Sequence, residues 1–122
     1  MSEIVFILVG IGGFVGAIAR FAISQLVKRN FRFTIPAATV FVNVAGSFLL
    51  GLLNGLHVGE YILLLAGTGF CGAFTTFSTF KLEAVQLHLR EQKRAFIFYT
   101  IFTYAGGIAL AFVGYQLGML FH

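Results

Sequence analysis

The chain has 122 residues, 59% of them hydrophobic and only 10% charged, and its mean hydropathy is +0.97. Soluble domains carry about 25% charged residues, so a soluble globular protein is excluded. The net charge of +4 belongs, in so apolar a chain, to membrane loops rather than to a nucleic-acid site, and no nucleic-acid partner is expected.

Polar punctuation leaves four apolar stretches, at about residues 4–27, 35–56, 61–89 and 95–120. Each reaches the roughly 20 residues that cross about 30 Å of hydrocarbon. The expectation is an all-α integral membrane protein with four transmembrane helices. It is a single membrane domain over residues 1–122, with no room for a soluble one. The first stretch is too long for a signal-peptide core, and Ser2-Glu3 supplies no positive start.

Span one carries Gly12 and Gly16, a spacing that lets helix backbones approach closely. Arg20 lies near its far end. It either snorkels to the interface or anchors an anion route or a helix break. Lys28, Arg29 and Arg32 follow.

Span two places Thr39, Asn43 and Ser47 at i, i+4 and i+8, on one helix face. Two readings stand: interhelical hydrogen bonding, or the lining of a polar pathway. A lipid-facing amide at Asn43 would be costly, which favours a pathway. Gly51 and Gly55 repeat the small-residue spacing.

Span three contains Gly69-Phe-Cys-Gly-Ala-Phe-Thr-Thr-Phe-Ser-Thr-Phe80. Two glycines and four small hydroxyl residues interrupt an apolar segment near its middle. An unpaired backbone group in hydrocarbon costs several kcal/mol, so a broken helix persists only where protein, water or an ion satisfies it. Transport proteins use such breaks to turn backbone dipoles toward ions. Phe77 and Phe80, three apart, share a face and fit either core packing or a pathway. An aromatic ring has a positive edge, which attracts a small anion weakly enough to release it. The hydroxyls of Ser78 and Thr79, with the Asn43 amide, would replace lost water. Lys81 and Glu83 point about 200° apart on one helix, so they do not pair with each other. Cys71 reads as a small packed residue at the break; one cysteine permits neither an intrachain disulfide nor a cysteine metal cluster.

Arg90, Lys93 and Arg94 precede span four, which carries Thr100, Thr103 and Tyr104 and a third glycine pair, Gly114 and Gly118. The basic residues at 28–32 and 90–94 fall on one side of the membrane. The other side, with the N-terminus, the 56–61 turn and the C-terminus, has Glu3 and Glu60 but no Lys or Arg. The positive-inside rule then places both termini outside.

Three segments together resemble the Fluc (CrcB) fluoride channels: Gly-Gly-Phe-Val-Gly-Ala-Ile-Ala-Arg20, Asn43-Val-Ala-Gly-Ser-Phe-Leu-Leu-Gly51, and the Gly69–Phe80 stretch. The third is the specific one. The resemblance implies an antiparallel dimer of inverted four-helix subunits in a bacterial plasma membrane, with two fluoride pores and span three broken near the midplane. Phe77 and Phe80 match the pore phenylalanines and Asn43 the pore asparagine. Ser78 and Thr79 match the polar track, with Tyr104 beside it; Thr39 and Ser47 extend the Asn43 face. The family's central sodium ion, held by backbone carbonyls, maps to Gly72 and Thr75. Arg20 matches the arginine at the pore entrance and Glu83 the acidic residue after the phenylalanines. A homodimer must insert in both orientations and needs balanced loops, whereas these loops fix one. An oppositely oriented paralogue is therefore the expected partner. Fluoride would leave the cell passively, relieving its toxicity.

Two other readings compete with this one. A small multidrug transporter needs a carboxylate in span one, where this chain has Arg20. A non-conducting structural subunit would have no need of Asn43, Phe77 and Phe80. No nucleophile–base pair, metal cluster or phosphate loop suggests an enzyme.

Overall fold

The computed structural model describes residues 2–30, 37–75 and 77–121, with the side chains of all except Ser2, Lys28, Asn30, Phe77, Ser78 and Thr79. These residues are helical apart from short turns. Helix α1 covers Ser2–Asn30, α2 Ala37–Leu56, α3 Glu60–Phe74, α4 Phe77–Leu89 and α5 Lys93–Phe121. Three of them, α1, α2 and α5, are long and apolar enough to cross a membrane. Helix α3 is apolar too, but shorter. Helices α1 and α5 run a few residues beyond the spans expected for them, and residues 35 and 36 lie outside the described residues.

The third apolar stretch is divided. Helix α3 stops at Phe74, Thr75 is extended (φ −84°, ψ 159°), and α4 begins at Phe77. Thr75 closes the end of α3 on itself. Its amide donates to the Cys71 carbonyl at 3.0 Å and its Oγ1 to the same oxygen at 2.8 Å. Within α3, Leu63–Cys71 is wound as a π-helix, a form that is rare and concentrated at functional sites.

Glycine decides how the helices associate. A Cβ on Gly51 would overlap the Ala111 carbonyl, and one on Gly55 the Tyr115 carbonyl. From the other side, Gly114 is pressed against the Phe48 carbonyl, and a Cβ on Gly118 would stand 2.6 Å from the Leu52 carbonyl oxygen. Residue numbers rise together along this seam, so α2 and α5 run parallel. A second seam joins α1 to α3, where Gly12 and Gly16 face the Leu65 and Phe70 carbonyls, and Gly69 faces Val9 and Gly12. From Gly12–Leu65 to Gly16–Phe70 the numbers again rise together. All three glycine pairs expected from spacing are packing surfaces, as close approach in lipid requires.

A small core joins α4 to α5: Phe80, Ala84, Leu87, Ala95 and Tyr99 are buried together. The outer faces carry Phe6, Phe14, Phe21, Ile108, Phe112, Leu120 and other large apolar side chains, all exposed. Exposed apolar surface on this scale suits hydrocarbon rather than water.

The α4–α5 turn ends in a Schellman pair. Gln92 N–H donates to Leu87 at 3.1 Å and Glu91 N–H to His88 at 3.1 Å, with Glu91 at φ 59°. Glycine is the residue suited to that left-handed position. Glu91→Gly should therefore stabilise the protein by about 1 kcal/mol, read as a raised thermal midpoint in detergent; an unchanged or lowered midpoint would show that the Glu91 side chain offsets the strain.

Candidate functional site

Helices α2, α3 and α5 and the first turn of α4 enclose an open cleft of about 420 Å³. Asn43, Gly46, Ser47 and Leu50 line it from α2, and Gly67, Thr68, Cys71 and Gly72 from α3. Thr75, Phe80, Thr103 and Tyr104 complete the wall. The shape follows from the packing described above. The α2–α5 seam holds Asn43 and Ser47 beside Thr103, while the π-winding brings Gly67, Thr68, Cys71 and Gly72 to one side. Gly46 is needed where it stands, because a Cβ there would run into the Thr75 methyl and displace the residue that ends α3.

The polar face of α2 divides between two tasks. Asn43 and Ser47 line the cleft. Thr39 is 5% exposed, and its hydroxyl donates to Glu83 Oε1. Tyr99, wholly buried, donates its hydroxyl to the same oxygen at 3.2 Å. Glu83 is thus tied to α2 and α5 at once by two hydroxyl donors, an arrangement that suits a carboxylate acceptor.

Phe80 sits between the two tasks. Its ring lies 5.1 Å from that of Tyr99, tilted by 40°, and 5.6 Å from that of Tyr104, perpendicular to it at 89°. It is only 6% exposed yet reaches the cleft. The pore candidates Asn43, Ser47, Phe80 and Tyr104 and the metal candidates Gly72 and Thr75 therefore meet at one place. The Phe77, Ser78 and Thr79 side chains lie outside the described residues. Arg20, half-buried on α1, and Glu83 do not line the cleft, and Lys81 is exposed.

Sequence reasoning missed Tyr99, and it noted Thr103 without giving it a place in the site. Thr103 Oγ1 is buried with no hydrogen-bond partner among the described residues. A signal for both was present: Tyr99, Thr103 and Gly107 repeat the i, i+4, i+8 spacing of Thr39, Asn43 and Ser47 on the parallel helix. Gly107 faces Ser47, and a Cβ added to it would stand 3.4 Å from Ser47 Oγ. A hydroxyl buried without a partner costs about 1–3 kcal/mol, and Thr103 carries such a group in the wall of the cleft.

Gly72 differs from the seam glycines. Its backbone is ordinary helix (φ −61°, ψ −39°) and a Cβ would meet nothing within 4 Å. Neither conformation nor packing inside the chain calls for glycine there. Backbone oxygens at a helix end, beside open space at a glycine, fit a hard cation. Among the described residues no cluster of His, Cys, Asp and Glu offers a different kind of metal site.

The family model described as CrcB-like protein, Camphor Resistance (CrcB), matches residues 7–115. The chain is 53% identical to Fluoride-specific ion channel FluC 2 of Bacillus cereus over 112 residues, 92% of this chain and 95% of the relative. It is 46% identical to Fluoride-specific ion channel FluC 1 of Listeria monocytogenes over 114 residues, covering 93% and 97%. The FluC 2 protein of Lactobacillus acidophilus is 40% identical over 122 aligned residues, covering 95% and 98%.

Proposed function

The chain belongs to the CrcB-like family, and from that membership we propose that it is a fluoride channel subunit, a membrane protein and not an enzyme, that exports fluoride passively. The observation that carries the reading is the cleft, which Asn43 and Ser47 line with polar side chains and Phe80 with a ring, beside the end of α3. Fluoride is small and strongly hydrated. An amide and hydroxyls replace part of its water, and a ring edge attracts it without trapping it. By the resemblance of the Gly69–Phe80 stretch alone, Phe77, Ser78 and Thr79 would belong to the same path. Tyr104 lies across the cleft, and Thr39 serves it indirectly through Glu83. Arg20 draws anions to the pore mouth. The multidrug-transporter and non-conducting readings have no support in the relatives.

Helices α3 and α4 act as one crossing interrupted at Thr75, which makes the fourth span. Two such subunits meet in inverted orientation, closing the cleft from the open side. Bare Gly72 supports a facing surface there. A sodium ion at that meeting point would be held by the carbonyls of Gly72 and Thr75 and would supply fixed positive charge between the subunits. Replacing sodium by N-methylglucamine during purification should then weaken dimerisation; indifference to the swap would remove the ion from the scheme.

Fluoride enters acid-stressed cells as hydrogen fluoride, dissociates near neutral pH and leaves as the anion. An inside-negative potential of about 100 mV contributes about 2.3 kcal/mol per charge, enough for a roughly 50-fold gradient. With both basic turns in the cytoplasm and both termini outside, one orientation dominates. The native dimer is then a heterodimer with a paralogue of opposite bias. The test is fluoride efflux from liposomes. Efflux should be strong when a paralogue of opposite loop charge is co-expressed and weak for the chain alone. Equal efflux from the chain alone would make it a homodimer, and no efflux from either preparation would end the channel reading.

A further inference from the structure

We infer that the chain holds a lipid acyl tail in a hollow between α1, α2 and α3, on a different side of the molecule from the cleft. The inference needs only that the chain lies in a bilayer, and it stands apart from the fluoride reading. The hollow has a volume of about 390 Å³ and presents no polar surface. It follows from the packing of the α1–α3 seam. Gly12 lies against the Leu65 carbonyl, so backbone meets backbone there. Gly12 and Ala66, both without a long side chain, leave the space beside the seam unfilled. Phe70 and Leu49 wall it on the α3 and α2 sides, and Ile11 and Val15 stand half-exposed at its rim.

What fills the hollow is decided by its chemistry, depth and direction. Water needs several polar partners, and the walls give it none. Leaving the space empty would forfeit the dispersion contacts of its walls. Ile11 lies about 12 Å along α1 from Glu3, and Leu49 about 10 Å along α2 from Leu56. Half of the hydrocarbon is about 15 Å thick, so both stand at the depth of acyl tails in the leaflet beside Glu3 and Glu60. Scaling from a cavity of about 150 Å³ that takes one benzene, about 390 Å³ has room for roughly fifteen carbons, the size of one tail. The hollow and the cleft share no lining residue. Leu49 lies about 120° around α2 from Asn43 and about 160° from Ser47. An inverted subunit seated over the cleft therefore meets a different side of α2, and lipid is left to cover this one.

The experiment reconstitutes the assembled full-length protein in liposomes that contain a phosphatidylcholine with a photoactivatable diazirine midway along one acyl chain. Labelled residues are mapped by mass spectrometry. Phe70 is compared with Phe112, an exposed phenylalanine away from the hollow, so that like is read against like. Phe70 should take about fivefold more label than Phe112, which corresponds to about 1 kcal/mol of preference. Ala66→Phe sets a ring into the hollow and Val15→Phe narrows its mouth. Each should bring Phe70 down to the level of Phe112 or below. Equal labelling of the two phenylalanines in wild type would overturn the inference, because the hollow would then meet only ordinary boundary lipid. An unlabelled Phe70 beside a labelled Phe112 would overturn it too, since protein would then cover the hollow. So would wild-type labelling of Phe70 in both variants once they are shown to assemble by size-exclusion chromatography. If neither variant assembles, the wild-type ratio decides.

Discussion

Phe80→Ile should reduce fluoride efflux by about 100-fold or more while leaving an assembled protein. A hundredfold loss corresponds to about 2.7 kcal/mol of barrier. Phe80 lines the cleft, and the proposed pathway relies on an aromatic ring edge, which isoleucine lacks. Folding should survive because the substitution keeps an apolar side chain against Ala84, Leu87, Ala95 and Tyr99. Lost volume in a core costs about 1–3 kcal/mol, and the glycine seams that hold the long helices do not involve this residue. The measurement is efflux into a fluoride electrode from liposomes with equal incorporation of the chain co-expressed with the paralogue of opposite loop charge. Wild-type efflux in assembled Phe80→Ile would remove the phenylalanine from the pathway. Loss of assembly would show that Phe80 acts through its core contacts alone.

Gly114→Val should prevent a stable protein from forming. A Cβ at position 114 overlaps the Phe48 carbonyl oxygen and lies 3.0 Å from the Leu52 nitrogen. Those neighbours are backbone, which has no rotamer to turn aside, so the cost falls at or above about 3 kcal/mol, the upper end for overpacking. Gly10→Ala is the control: nothing lies within 4 Å of a Cβ there, and the helical propensity of alanine favours the change. The two variants are compared by yield of monodisperse protein and by thermal midpoint in detergent. A Gly114→Val protein as stable as wild type would mean that α2 and α5 do not meet backbone to backbone.

Much of this was legible in the sequence because lipid imposes simple rules. Hydrophobic stretches had to be helices, and paired glycines had to be contacts, since little else drives association between apolar helices. The stretch from Gly69 to Phe80 stood out as the place where a helix would break. Three things were not legible. The π-winding of Leu63–Cys71 leaves no trace in a segment apolar on every side. Thr39 shares a stripe with Asn43, yet turns to Glu83; helix periodicity reports a face and says nothing of which neighbour occupies it. Tyr99 carried no signal of its own, because its hydroxyl acquires meaning only when α4 brings Glu83 to within 3.2 Å. The division of polar residues between a carboxylate clamp and a cleft is a tertiary property.

The two glycine seams also set a timetable for biogenesis. Each joins helices that are not consecutive, α1 with α3 and α2 with α5, in parallel. Helix α1 therefore leaves the ribosome well before the residues that will cover Gly12 and Gly16 have been synthesised. From Asn30 to Phe74, at about 5–20 residues per second, the delay is roughly 2–9 s. During that interval its naked glycine groove faces lipid or the insertion machinery, and the chain is most exposed to the wrong companion at that moment.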